Sequence, residues 1–271
     1  MSSRKNKSGL LGDIPADVER LVRQRDGFGC VICGSFFYQY DHIGVEFKDA
    51  LTHCPDDIVL LCGGCHDRKT RGALSTKSIR SFAVNPKCKQ DNFSWGPLDI
   101  GDEHPVVQMG DITAYRSKTL LRIYGENLFA LSKPVGPGLP FTLNAKIFDR
   151  QGNLIVRVVE NQIIILNTSW DVEVIGQRIS IRSGKGVFEV VLRVEPPSKI
   201  VIERLQMFYR GVSVACKEGH KTEFLFNNKI VQASGGVFED SEVVVDFDDQ
   251  GLVLGRGGSV YMKTLGFYSG G

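Results

Sequence analysis

Ile58-Val59-Leu60-Leu61-Cys62-Gly63-Gly64-Cys65-His66-Asp67-Arg68-Lys69-Thr70-Arg71 sets a short apolar run against a Cys-x-x-Cys turn, a histidine and three cations. Packing alone asks for no such order. The run Asp57–Leu61 reads as a strand, and the residues after Cys65 read as a helix with His66, Lys69 and Thr70 on one side at spacings of three and four. A second pair, Cys30-Val31-Ile32-Cys33, lies upstream. Two such pairs supply four thiolates, the donor set of a closed structural Zn²⁺ site; redox-active dithiols are the other use of the motif.

The 28 residues between Cys33 and Cys62 exceed the usual spacer of a simple zinc ribbon. They house Tyr40-Asp41-His42-Ile43, at the end of an aromatic run from Phe36 that reads as a strand. An Asp-His doublet on one strand, a second strand, and a Cys-x-x-Cys-His turn opening a basic helix together resemble the HNH endonuclease family. The likeness is to its zinc-stapled ββα-metal form and covers residues 14–90.

That resemblance implies a metal-dependent nuclease that hydrolyses phosphodiester bonds, with DNA as the expected nucleic acid. Such a reaction needs a nucleophilic water, a clamp on the phosphate and stabilisation of the departing 3′-oxygen. By resemblance His42 is the general base, while Asp41 and His66 ligate a catalytic Mg²⁺ or Mn²⁺. Cys30, Cys33, Cys62 and Cys65 hold the structural zinc. Asp57, beside Asp56, stands where the family usually has Asn before the second strand. A carboxylate there is expected to orient His42 by accepting its Nδ1–H, at the cost of negative charge near an incoming phosphate. Gly44-Val45 replaces a frequent Pro after the doublet. Arg68, Lys69 and Arg71 are expected to contact phosphates, the plainer reading being a solvated helix face. His53, His104 and His220 take the default of lone exposed histidines.

The whole chain carries 33 cations against 31 anions, but residues 1–90 hold 14 against 10 and the remainder 19 against 21. Any polyanion-facing surface is therefore expected in the N-terminal third. Met1–Ser8 leads into no signal-peptide core and no apolar run is long enough to span a bilayer, so a cytoplasmic protein without a membrane partner is expected. Cys54, Cys88 and Cys216 are scattered, as reduced cysteines are, which argues against a disulfide scaffold.

In chain order, residues 1–13 read as a flexible basic arm. Ile14, Val18, Leu21 and Val22 form one face of a short helix led by Pro15. Ser75 caps a helix through Phe82, and residues 91–105 read as a linker to which Trp95 can dock. From Val106 onward, runs such as Thr119–Tyr124, Phe141–Phe148, Leu154–Val159, Gln162–Leu166, Val187–Val194 and Ile200–Phe208 are bounded by turn residues. Strands at this spacing make an antiparallel sandwich or barrel. Leu254-Gly255-Arg256-Gly257-Gly258 lacks the Lys-Ser/Thr of a P-loop and reads as a turn.

The expected class is thus α+β: a zinc-bound ββα-metal module over 14–90 and a mostly antiparallel β domain over 106–271. The β domain matches no family by its residues, and it is expected to serve targeting, regulation, a protein partner or self-association. The competing reading is a catalytically silent, zinc-stapled nucleic-acid-binding module fused to that domain.

Overall fold

The computed structural model describes residues 5–269. Met1–Arg4, the start of the expected basic arm, lie outside the described residues. The chain divides into two compact units. Unit 1 is Met1–Gly96 with Ile165–Gly176, and unit 2 is Pro97–Ile164 with Gln177–Gly271.

In unit 1, helix α1 (Ala16–Asp26) is entered through Pro15 and closed by Gly27 in the left-handed conformation, φ 77°. Val22 is fully buried with Ile58 and Leu60, and Ile14 and Val18 pack on that cluster. Leu21, expected on the same face, is 50% exposed and lies outside that cluster. Strands β1 (Tyr38–His42) and β2 (Ile58–Cys62) are antiparallel, with Tyr38 opposite Cys62, Asp41 opposite Val59 and His42 opposite Ile58. The burial of β2 over Ile58–Leu61 follows from having α1 on one face and the cysteine cluster on the other.

Helix α2 (Gly63–Thr70) starts on Cys62, whose sulfur accepts the Cys65 amide at 3.4 Å. Helix α3 (Thr76–Val84) starts on Ser75, whose hydroxyl accepts the Ser78 amide at 3.0 Å, and it buries Ile79 beside Val31, Val59 and Leu61. The stretch expected as a linker contains α4 (Lys87–Asp91) at its threshold and β3 (Phe93–Pro97) within it. Trp95 explains why the chain is ordered there: its indole N–H donates to the Cys33 carbonyl at 3.0 Å and its own carbonyl accepts the Phe36 amide at 2.9 Å.

The segment Ile165–Gly176 enters unit 1 through a buried ion pair. Arg23 on α1 forks onto Asp171 at 2.8 and 2.9 Å and also donates to the Tyr40 hydroxyl at 2.7 Å. Both charges are almost wholly buried, which only such a bidentate, fully hydrogen-bonded geometry tolerates. Nor is the arm free over residues 5–13. The Asn6 amide donates to the Phe47 and Ala50 carbonyls at 2.6 and 2.8 Å, and its oxygen accepts from Ser8 and Leu10. Asn6 thereby pins the arm to the loop after β1.

Unit 2 is built of strands, largely antiparallel, with parallel pairings at Val243 beside Thr119, Lys199 beside Val106 and Val237 beside Thr113. One sheet runs from Gly251–Arg256 through Val243–Asp248, Thr119–Ile123, Glu126–Ser132 and Thr142–Phe148 to Leu154–Val159. The other path starts at Ser259–Tyr261 and ends at Thr264–Ser269, and only Met262 and Lys263 separate those two strands in sequence. The path therefore curls back on itself, the barrel-like alternative of the expected class. The Gly255–Gly258 turn owes its glycines to crowding: a Cβ on Gly255 would lie 1.9 Å from Val260, and one on Gly258 would lie 2.4 Å from the Glu239 carbonyl. Among the described residues no helix is long and apolar enough to cross a membrane.

Candidate active site

The Cys30–Cys33 turn and the Cys62–Cys65 turn bring four sulfurs within 4.8 Å of one another. A tetrahedral zinc with Zn–S bonds of about 2.3 Å spaces its sulfurs roughly 3.8 Å apart, so the cluster fits that ion without rearranging the backbone. Cys30 and Cys65 are buried within the apolar cluster of Val31, Val59, Leu61 and Ile79. Bare thiols at this spacing cannot share their protons evenly. The Cys33 hydrogen bond pulls Cys30 down to about 5 despite its burial. Burial, with the Cys30 charge beside it, pushes Cys65 up to about 12. A divalent cation removes that conflict by stabilising all four thiolates.

Across β1 from this cluster, α2 faces the Asp-His doublet. Asp41 is 8% exposed. Its Oδ2 accepts from the Lys69 ammonium at 2.5 Å, and its Oδ1 lies 3.5 Å from His66 Nε2. Lys69 also donates to the His42 carbonyl at 2.8 Å. Here the structure corrects the sequence reading. Lys69 turns inward as a clamp on the doublet, because a buried carboxylate demands a partner more strongly than solvent demands the ammonium. Arg68 is exposed, and Arg71 is exposed while bonded to Asp67 one turn back at 2.9 Å.

Asp41 and His66 open with His42, Phe47 and Lys48 onto a cavity of about 530 Å³. One carboxylate oxygen and one imidazole nitrogen at that separation could both serve as ligands to a hard divalent cation. His42 sits between this cavity and a second of about 260 Å³, which it lines with Asp57 and Cys54. Its Nε2 is enclosed without a partner, so Nδ1 is the ring nitrogen left to meet a ligand. Burial lowers the His42 pKa, and His53 acts in the same direction against Asp41. Both effects favour the neutral ring.

Asp57 does not orient His42 as expected: among the described residues no hydrogen bond joins its carboxylate to that ring. The carboxylate instead lies against Gly44, where a Cβ would come within 1.5 Å of Oδ1. The Asp57 carbonyl accepts the amides of Ile43 at 2.7 Å and Gly44 at 3.2 Å. Asp57 thus fixes the turn after His42 rather than the ring itself, and Gly44 permits that approach.

His53 is the residue the sequence reading passed over. It is 9% exposed, with its ring centroid 5.5 Å from His42 and 6.1 Å from Phe47. Its Nε2–H donates to the Leu11 carbonyl at 2.8 Å, which leaves Nδ1 as a buried, unpartnered acceptor. The one sequence clue is its place four residues before Asp57, on the loop that returns to β2. His104 lies in unit 2 and is half-buried, and His220 is exposed.

Over 63 residues the chain is 41% identical to a protein of Lactococcus phage SK1 described as "Probable HNH endonuclease". The chain is similar to that phage protein. The match covers 20% of this chain and spans 65% of the phage protein's length. No family model matches the chain, and no solved structure does. The relative and the four-cysteine group are consistent with an HNH nuclease that carries a structural zinc.

Proposed function

We propose that the module over residues 14–90 is an HNH endonuclease that hydrolyses phosphodiester bonds, with DNA as substrate, and that unit 2 targets or regulates it. The observation that carries this reading is the convergence of Asp41 Oδ1, His66 Nε2 and the His42 ring on one open cavity. A module that only gripped nucleic acid would not need all three.

Asp41 and His66 would hold a Mg²⁺ or Mn²⁺. When bound, that ion supplies positive charge to the phosphate and to the departing 3′-oxygen. Each remaining step belongs to the chain. His42 takes the proton of the attacking water on Nδ1. Lys69 holds both the Asp41 carboxylate and the His42 carbonyl, so metal ligand and base keep one relative position. His53 backs the His42 ring, and Arg68 and Arg71 receive the flanking phosphates. Incubation of the purified protein with supercoiled plasmid tests the reading: nicking is expected with Mg²⁺ or Mn²⁺ and none with neither, and an inert protein under every ion would support the silent binding module.

Two further results are expected. Asp57→Asn preserves the shape against Gly44, so it retains most of the parent rate. Asp57→Ala keeps the carbonyl bonds to Ile43 and Gly44 but empties the space the carboxylate fills against Gly44, and it lowers the rate roughly 10- to 100-fold, as small misplacements of a catalytic group do. Rates of the two variants on one substrate check this, and an Ala variant as fast as the parent removes Asp57 from the mechanism. The double variant Arg68→Ala, Arg71→Ala binds DNA more weakly, and its log–log salt slope falls by about 1 to 2, since each lost phosphate contact removes about 0.9. Binding titrations at several salt concentrations read that slope directly.

A further inference from the structure

Strand Lys199–Tyr209 in unit 2 pairs with Val212–Lys217 so that Arg204 stands directly opposite Lys217. Like charges facing each other across a strand pair are destabilising, and a sheet usually places an acid at one of the two positions. Here the nearby acids pair with other cations. Glu203 is held by Arg178 at 2.7 Å and by Arg193 at 2.6 Å, and Glu218 by Arg193 at 3.2 Å. Among the described residues neither Arg204 nor Lys217 has an ion-pair partner.

These two cations line a cavity of about 260 Å³, whose wall also includes Phe188, Val191, Arg178 and the two acids Glu203 and Glu218. Arg204 sets its guanidinium 5.3 Å from the centroid of the Phe188 ring, and Arg182 sets its own 4.8 Å from the same ring. That contact holds the planar fork of Arg204 in place before any ligand arrives. Two unneutralised positive charges, one a rigid fork and one a mobile ammonium, match an anion with close to two negative charges and several acceptor oxygens. A phosphate monoester or a pyrophosphate has that chemistry at neutral pH. The cavity is smaller than those that enclose a whole cofactor, so it suits the phosphate group and the part of the ligand next to it.

We propose that unit 2 carries a phosphate-binding site in which Arg204 and Lys217 grip the anion beside Phe188. The site is independent of the nuclease reading, since none of its residues belongs to the module over 14–90.

Calorimetry on the full-length chain, without added divalent ions, tests it with inorganic pyrophosphate as probe. The parent and the variant Arg68→Ala, Arg71→Ala are expected to bind with equal affinity, and Arg204→Gln with Lys217→Gln at least tenfold more weakly. Pyrophosphate raises the melting temperature of the parent and not of that double variant. In the absence of phosphate the double variant melts no lower than the parent, because a repulsive pair has been removed. If the double variant fails to fold, Lys217→Gln alone, at an exposed strand end, is expected to weaken binding severalfold. A second arm compares one oligonucleotide bearing a 5′-phosphate or a 5′-hydroxyl. Tighter binding of the phosphorylated form, lost in the Lys217 variant, makes a nucleic-acid end the source, and no difference makes it a free phosphate compound. A parent that does not bind pyrophosphate, or variants that bind it as the parent does, would overturn the proposal.

Discussion

His42→Ala is expected to cleave DNA at least 100-fold more slowly than the parent while binding it with unchanged affinity. A positioned base contributes about 10²- to 10⁴-fold, and it does so only in the transition state, so the loss falls on the rate and not on the binding constant. The geometry sharpens the expectation. The His42 backbone is held by its ladder to Ile58 and by the Lys69 ammonium on its carbonyl, neither of which depends on the imidazole. Truncation therefore empties the space between the two cavities without releasing Asp41. Single-turnover rates at saturating protein, paired with equilibrium binding, make the check; equal rates in parent and variant would remove His42 from the chemistry.

Cys62→Ala is expected to unfold unit 1 and leave the sheets of unit 2 intact. A structural zinc contributes about 10–16 kcal/mol to folding, as much as the whole stability of an ordinary domain, about 5–15 kcal/mol. Unit 1 has little to set against that loss, because Cys30 and Cys65 are themselves members of its main apolar cluster. Cys62 also caps α2, so its loss frees the helix that delivers His66 and Lys69. Metal analysis should find one zinc per chain in the parent and none in the variant. Hydrogen exchange should show lost protection over β1, β2 and α2, with Val187–Glu195 and Lys199–Tyr209 unchanged. A zinc-free parent purified without chelator would contradict the four-cysteine site.

The frame of the module was readable because it is local. Each Cys-x-x-Cys pair announces itself, Ser75 and the residues after it declare a helix, and the apolar run before Cys62 can only be a buried strand. The two ligand candidates Asp41 and His66 were readable through the resemblance, and the structure brings them together across β1 and α2. Three features were not readable, each for a stated physical reason. Lys69 looks like any helix-surface cation until the burial of Asp41 is known. His53 looks solitary until the loop folds its ring against His42. The Arg23–Asp171 pair joins residues 148 apart with no local pattern at either end. In the β domain the long runs were legible as strands, whereas short ones such as Val106–Met109 and Ile112–Tyr115 carry too few residues to show their alternation.

If Asp41 and His66 form the working centre of a nuclease, the cleavage rate against Mg²⁺ concentration tests it most directly. The measurement is made on the parent and on His66→Ala, each first confirmed to hold one zinc. The parent is expected to saturate, and His66→Ala to need at least tenfold more Mg²⁺ for half its maximal rate, since it has lost one of two protein ligands. Superimposable curves, or cleavage that persists without any divalent ion, would contradict the assignment.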